Sequence, residues 1–249
     1  MAEALLDVTG LNKSFGALLA TNDLSLSVRQ GEVHALIGPN GAGKTTLVNQ
    51  LSGDLIADSG RVVFRGQDIT RLPAHRRARL GIARSFQITH IFENLTVAEN
   101  LGLALLAGHG GNFHFFRHWR RAPRLQERLE EALTRFDLLQ HRDQPAASLS
   151  HGEKRQLEVG MALVVDPQLL ILDEPMAGLG PGGTVELTRI IRRLKGQLTI
   201  LLVEHDMDVV FSLADRITVL VYGHDIATGT PAEIRGNALV RQAYLGEEG

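Results

Sequence analysis

Apolar and polar positions along this chain switch between two periods. Val33-His34-Ala35-Leu36-Ile37, Leu169 to Leu172, Thr199 to Val203 and Ile217 to Val221 are short, nearly unbroken apolar runs. That is the pattern of strands covered on both faces in a parallel sheet. Leu5 to Val28 alternates instead, which predicts an antiparallel region with one wet face. Between about Gln87 and Gln156 the period becomes helical. Leu95-Thr96-Val97-Ala98-Glu99-Asn100-Leu101 opens one helix, with Thr96 and Glu99 at capping-box spacing. Arg124 to Leu139 predicts a second, carrying Leu125, Leu129, Leu133 and Phe136 on one face. Strand-like and helix-like segments in alternation predict an α/β fold with a largely parallel sheet, into which the helical stretch is inserted.

Composition narrows the function classes. The chain has 249 residues, long enough for a substantial core, and no internal repeat or low-complexity linker divides it. A net charge of -2 argues against general affinity for nucleic acid or acidic membrane. With no cysteine there is no disulfide, which fits a reducing compartment. Met1 to Asp7 lacks the basic and apolar regions of a signal peptide. No run approaches the roughly 20 apolar residues that cross a bilayer. The expectation is a cytosolic protein whose membrane role, if any, comes through a partner. Gly108 to Arg124 interleaves basic and aromatic residues. We read it as a surface helix with packed aromatics and solvated arginines, in preference to an RNA-binding patch. An intermediate reading places it near lipid headgroups or a membrane subunit.

Candidate chemistry begins at Gly38-Pro39-Asn40-Gly41-Ala42-Gly43-Lys44-Thr45-Thr46, a full match to the phosphate-binding loop, between a strand and a helix from about Lys44 to Leu51. The glycines let backbone N–H groups converge on phosphate oxygens, and the following helix points its positive end at them. Lys44 supplies charge to the β- and γ-phosphates, and the Thr45 hydroxyl suits Mg²⁺. Asp173 and Glu174 end the strand that begins at Leu169. One carboxylate there holds Mg²⁺ through water and the next orients or deprotonates the attacking water. Ser150 through Glu158 opens another helix, and Ser150 with Glu153 fits the capping box. A capped helix start with a small hydroxyl and a glycine is also what an anion site needs.

Leu149-Ser150-His151-Gly152-Glu153, followed by Leu169-Leu170-Ile171-Leu172-Asp173-Glu174-Pro175, resembles the signature and strand motifs of ABC-transporter ATPases, and the resemblance runs from end to end. It implies a P-loop NTPase (RecA-like) core with an antiparallel β region and an inserted helical subdomain. It implies ATP and Mg²⁺, with Phe15 stacked on adenine and Gln87 linking the Mg²⁺/water site to a membrane subunit. By the same resemblance Asp173 holds Mg²⁺, Glu174 is the general base and His205 contacts the γ-phosphate. Ser150 and Gly152 complete the site of a neighbouring subunit. Read singly, Phe15 is also compatible with plain core, Gln87 with the surface, and His205 with a strand-end histidine. The family often has Gly where this chain has His151 and Gln where it has Glu153, and it usually ends the loop Ala177-Gly178-Leu179-Gly180 with Asp.

Phe15-Gly16-Ala17, Leu80 to Gln87 and Tyr244-Leu245-Gly246-Glu247-Glu248 resemble the ATPase subunits of branched-chain amino-acid importers. The helix from Gly152 to Leu163 with Met161 is similar to the urea branch, and Gly108 to Arg124 resembles an insertion in the longer of two paired ATPase types. The implied organisation is one ABC ATPase domain over 1–249. Residues 1–87 and 157–235 form the ATP-binding core, 88–156 the helical signature subdomain and 236–249 a tail. The implied partners are a second ATPase subunit (the same or a different chain), transmembrane permease subunits and, indirectly, a periplasmic solute-binding protein, with no nucleic acid. The expected location is peripheral, at the cytoplasmic face of the inner membrane. A soluble ABC ATPase without a membrane partner and an exporter ATPase are the alternatives.

Overall fold

Three five-residue strands, β3 (Val33–Ile37), β7 (Leu169–Asp173) and β8 (Thr199–Val203), are buried at every position. Their unbroken apolar runs leave no side for water, so they occupy the middle of a sheet. A computed structural model describes residues 4–85, 91–108 and 123–242. In it β3 pairs in parallel with β8 and with β9 (Arg216–Val221), and β7 pairs in parallel with β8. The order is β10-β9-β3-β8-β7-β6, with β6 at Ile82–Ser85 and β10 at His224–Gly229 antiparallel to β9. A second sheet, β2-β1-β4-β5, is antiparallel. It comprises β1 (Ala4–Phe15), β2 (Leu18–Arg29), β4 (Ser59–Phe64) and β5 (Gln67–Asp68). The alternation seen from Leu5 to Val28 is its pair β1–β2, each strand with one buried and one wetter face.

Contacts divide the chain into two units: Met1–Ile82, Gln168–Glu174 and Leu194–Gly249 in one, Ala83–Pro167 and Pro175–Arg193 in the other. The first unit's main core joins β1, β2 and β4 to β3, β7 and β8 and to helix α1 (Lys44–Ser52), through Leu6, Leu24, Leu36, Leu47, Leu51, Phe64 and Leu201. A smaller cluster on Ile37, Val210, Ile217 and Val219 seats α7 (Met207–Leu213) and α8 (Pro231–Gly236). Helix α2 (Ala74–Arg79) and the short α9 (Ala238–Val240) complete this unit.

The second unit is helical: α3 (Val97–Gly108), α4 (Pro123–Arg135), α5 (His151–Leu163) and α6 (Pro181–Leu194). The capping box read at Thr96 and Glu99 forms, with the Thr96 N–H on Glu99 Oε2 at 2.9 Å and the Glu99 N–H on Thr96 Oγ1 at 3.2 Å. Gly160 in α5 permits close helix packing. A Cβ there would lie 3.0 Å from the Phe136 ring and 3.3 Å from Leu101. The sequence pattern carried the second helix to Leu139, but α4 ends at Arg135. Asp137 turns into the left-handed region at φ 56, and the Leu138 N–H closes back on the Leu133 carbonyl. The apolar period continued because Phe136 and Leu138 stay buried through that turn.

Candidate active site

The first unit brings its candidate chemistry to the carboxyl ends of three adjacent parallel strands. This is where ligands bind in open α/β sheets. β3 runs into the loop Gly38–Gly43, β7 ends on Asp173, and β8 leads to Glu204 and His205. Register fixes their closeness. Leu36 pairs with Val203, Asp173 pairs with Val203, and the Glu174 N–H donates to the Val203 carbonyl at 2.8 Å.

The loop is built for a close approach by an anion. At Gly43, φ 100, a Cβ would fall 2.2 Å from the Ala20 carbonyl oxygen, so only glycine lets β2 back the loop this tightly. At Gly41, φ 78, a Cβ would meet nothing within 4 Å, which leaves the opposite side open. Gly43 caps α1 without any side-chain hydrogen bond, so the first N–H groups of the helix remain for a ligand. Ala42 is buried and accepts the Gly223 N–H at 3.0 Å, whereas Asn40, Gly41 and Thr45 are exposed and Pro39 and Thr46 partly buried.

Lys44 is buried and folded back, its ammonium on the carbonyls of Gly38 at 2.6 Å and Pro39 at 3.0 Å. Burial pushes its pKa down; the carboxylates of Glu174 and Asp173 pull it upward without restoring it. Lys44 thus places a positive charge at the loop, held by two carbonyls and lying in the field of two carboxylates.

Asp173 is 1% exposed. Glu174 is partly buried and holds φ 46, a left-handed conformation on a non-glycine residue. His205 has a side chain 63% exposed, with Nδ1 3.7 Å from Glu204 Oε2, beyond hydrogen-bond distance. The buried Glu204 instead takes the His205 N–H at 3.0 Å. Asp206 then caps α7. Phe15 closes β1 and is 50% exposed, with Lys13 Nζ 5.7 Å from its ring centroid, so it is no core residue. Gln87 lies outside the described residues.

Ser150 and Gly152 belong to the second unit. Ser150 caps α5: its N–H lies 2.7 Å from Glu153 Oε2, and its Oγ accepts the Glu153 N–H at 3.3 Å. Glu153 Oε1 is 3.0 Å from His141 Nε2. Burial pushes the Glu153 carboxyl up, but the Ser150 hydrogen bonds and the His141 charge outweigh it, and the net direction is down. Glu153 thus turns back onto its own helix start. At Gly152 a Cβ would meet only Gly183 Cα, at 3.8 Å, and at Gly180 nothing within 4 Å.

Sequence reasoning overlooked Arg77, a fully buried guanidinium. It donates to Leu72 O at 2.8 Å, Gln50 O at 2.6 Å, Leu51 O at 2.9 Å and Thr70 O at 3.1 Å. Its only signal is a basic residue in an otherwise basic run, Arg76-Arg77-Ala78-Arg79. Nothing local separates it from its exposed neighbours.

Residues 21–177 match the ABC transporter family, and residues 226–249 match the branched-chain amino acid ATP-binding cassette transporter family. The chain is 43% identical to the high-affinity branched-chain amino acid transport ATP-binding protein LivG of Salmonella typhimurium, over 99% of this chain and 100% of that one. It is 39% identical, with the same coverage of both chains, to the corresponding BraF of Pseudomonas aeruginosa. Among solved structures it resembles the ADP conformation of an ATP-binding cassette of an ABC transporter. The TM-score is 0.84 at 31% identity, over 98% of this chain and 100% of that one. The chain belongs to the ATP-binding cassette family of ABC transporters, in its branched-chain amino acid group.

Proposed function

We propose that this chain is the ATP-binding and ATP-hydrolysing subunit of an ABC importer, energising uptake of branched-chain amino acids or a related small polar solute such as urea or an amide. The import reading rests on relatives named for branched-chain amino acid transport, which it matches along their whole length. The observation that carries the chemistry is the convergence of Lys44, Asp173 and Glu174 at the ends of β3 and β7. Phosphoryl transfer to water asks chiefly for positioning and neutralisation of charge. Phe15 stacks on adenine, and Gly38 through Thr46 cradle the phosphates. Lys44 leaves its two carbonyls for the β- and γ-oxygens. Glu174 takes the proton of the attacking water, and His205 contacts the γ-phosphate.

Mg²⁺ fits the donors present, the exposed Thr45 hydroxyl and the buried Asp173 carboxylate, both hard oxygen ligands. With Gln87 they would hold it beside the phosphates, where it neutralises the charge that develops on oxygen. A second ATPase subunit supplies Ser150 and Gly152 opposite each ATP. Transmembrane permeases receive the motion at the cytoplasmic face of the membrane, and a periplasmic solute-binding protein delivers the solute to them. No described helix is long and apolar enough to cross a bilayer. The test is Glu174→Gln: ATP binding is retained while turnover falls by about 10²- to 10⁴-fold, the usual contribution of a positioned base. Near-normal turnover removes Glu174 from the base role.

A further inference from the structure

The hydroxyl assigned to a γ-phosphate is already engaged. Ser150 Oγ lies 2.8 Å from Glu153 Oε2, and the same carboxylate oxygen takes the Ser150 N–H. A carboxylate beside an arriving phosphate is repulsive unless its charge is offset. The offset on hand is His141, whose Nε2 faces the other oxygen, Glu153 Oε1, at 3.0 Å. His141 Nδ1 lies 3.0 Å from Gln144 Oε1, and the Gln140 amide nitrogen is 3.1 Å from Nε2. The ring thus has a side-chain oxygen 3.0 Å from each nitrogen, Gln144 Oε1 by a hydrogen bond at Nδ1 and Glu153 Oε1 by a charge contact at Nε2, where the Gln140 amide also lies.

We propose that His141 is a positioning residue for ATP hydrolysis. It draws the Glu153 carboxylate to its own side, so that Glu153 orients the Ser150 hydroxyl while its charge is balanced as the facing subunit's γ-phosphate docks. This rests on the reading of Ser150 as a residue that acts on the other subunit's ATP. The remaining charges nearby are spoken for: Arg142 pairs with Glu130 of α4 and lies 3.8 Å from Asp143, and Lys154 of α5 sits 3.0 Å from Glu93. His151, exposed at the start of α5, is the other ionisable neighbour and makes His151→Asn a control.

The experiment measures steady-state ATP hydrolysis by the assembled transporter over a range of ATP concentrations. His141→Gln, which keeps a hydrogen bond but no charge, raises the KM for ATP by up to about fivefold, the size of one partly exposed charge pair, with little change in kcat. Glu153→Gln keeps KM low, and adding it to His141→Gln restores the low KM. His151→Asn leaves KM unchanged. A wild-type KM in His141→Gln overturns the proposal, as does a loss that persists after Glu153→Gln. Should His141→Gln melt early, His141→Lys decides: it keeps a positive charge, so its KM stays at the wild-type value, and a raised KM there overturns the proposal. Ser150→Ala separates the two levels. Undiminished hydrolysis there sinks the underlying reading, whereas an inactive Ser150→Ala beside an unaltered His141→Gln sinks the role of His141 alone.

Discussion

Glu174 combines two unfavourable local states. Its φ is 46, and it precedes Pro175, whose ring restricts the residue before it to extended conformations. Such a conformation costs on the order of 1–3 kcal/mol and persists only where surrounding structure imposes it. Here its N–H is tied to the Val203 carbonyl. We expect Glu174→Gly to raise stability by about 1 kcal/mol, since strain relief exceeds glycine's entropic cost, while hydrolysis is lost. Thermal unfolding should show a gain of about 2–4 °C; a lower melting temperature means that the side chain contributes more than its backbone strain costs. The identities of Lys44, Asp173 and Glu174 were legible in the sequence because contiguous motifs carry them. The conformation of Glu174 was not, because the Glu-Pro pair predicts extended backbone and a neighbouring strand overrides it. His141 was also hidden. It reaches Glu153 from the short 3₁₀ helix Leu139–His141, whose only sequence mark is a polar run, Gln140-His141-Arg142-Asp143-Gln144.

Helix α1 is fixed at both ends by glycine, the loop at its start and Gly53 at its finish, left-handed at φ 86 with its N–H on the Asn49 carbonyl. A second clamp at the finish does not show in the sequence. It is Arg77, whose guanidinium covers the Gln50 and Leu51 carbonyls at the negative end of the helix and ties them to Leu72 and Thr70. Arg77→Ala leaves four carbonyls without this donor in a buried setting, and we expect a loss of about 3–4 kcal/mol in urea unfolding. Arg77→Lys should recover only part of it, because a point charge cannot reproduce the planar fork. A loss below about 1 kcal/mol removes Arg77 as the clamp on α1. Helix α5 offers a pH test. The Glu153 carboxyl is lowered from 4.5 in the folded state. Its stabilisation is therefore complete above that ordinary value and is lost as pH falls through the lower folded value. Glu153→Gln should flatten this acid arm below about pH 4.5, by no more than about 1 kcal/mol for so exposed a group. Circular dichroism melts of both proteins through that range read the difference. The capping box at α5 was legible as S-x-x-E. The end of α4 was not, because a left-handed Asp137 interrupts the backbone without interrupting the apolar period.

At the scale of the molecule, Lys44, Asp173 and Glu174 lie in one unit and Ser150 and Gly152 in the other. The sequence marks each strand by its own run, but no local feature announces that Pro175–Arg193 joins the helical unit, because long-range packing sets that division. If each ATP is served by Glu174 of one chain and Ser150 of another, two inactive variants should rescue each other. In a mixed dimer of Ser150→Ala with Glu174→Gln, one site pairs a normal Glu174 with a normal Ser150, while the other site carries both lesions. Random exchange makes about half of the dimers mixed, each with one intact site of two. The mixture should then recover about a quarter of wild-type hydrolysis if sites act independently in a closed two-fold dimer. Sites contained within one chain give no recovery, because every chain keeps its own lesion. Absence of recovery, with both parents inactive and the wild-type chain active alone, rules out the symmetric composite dimer. Recovery requires the capped start of α5 to act across a subunit boundary, which is the arrangement that makes the charge on Glu153 matter.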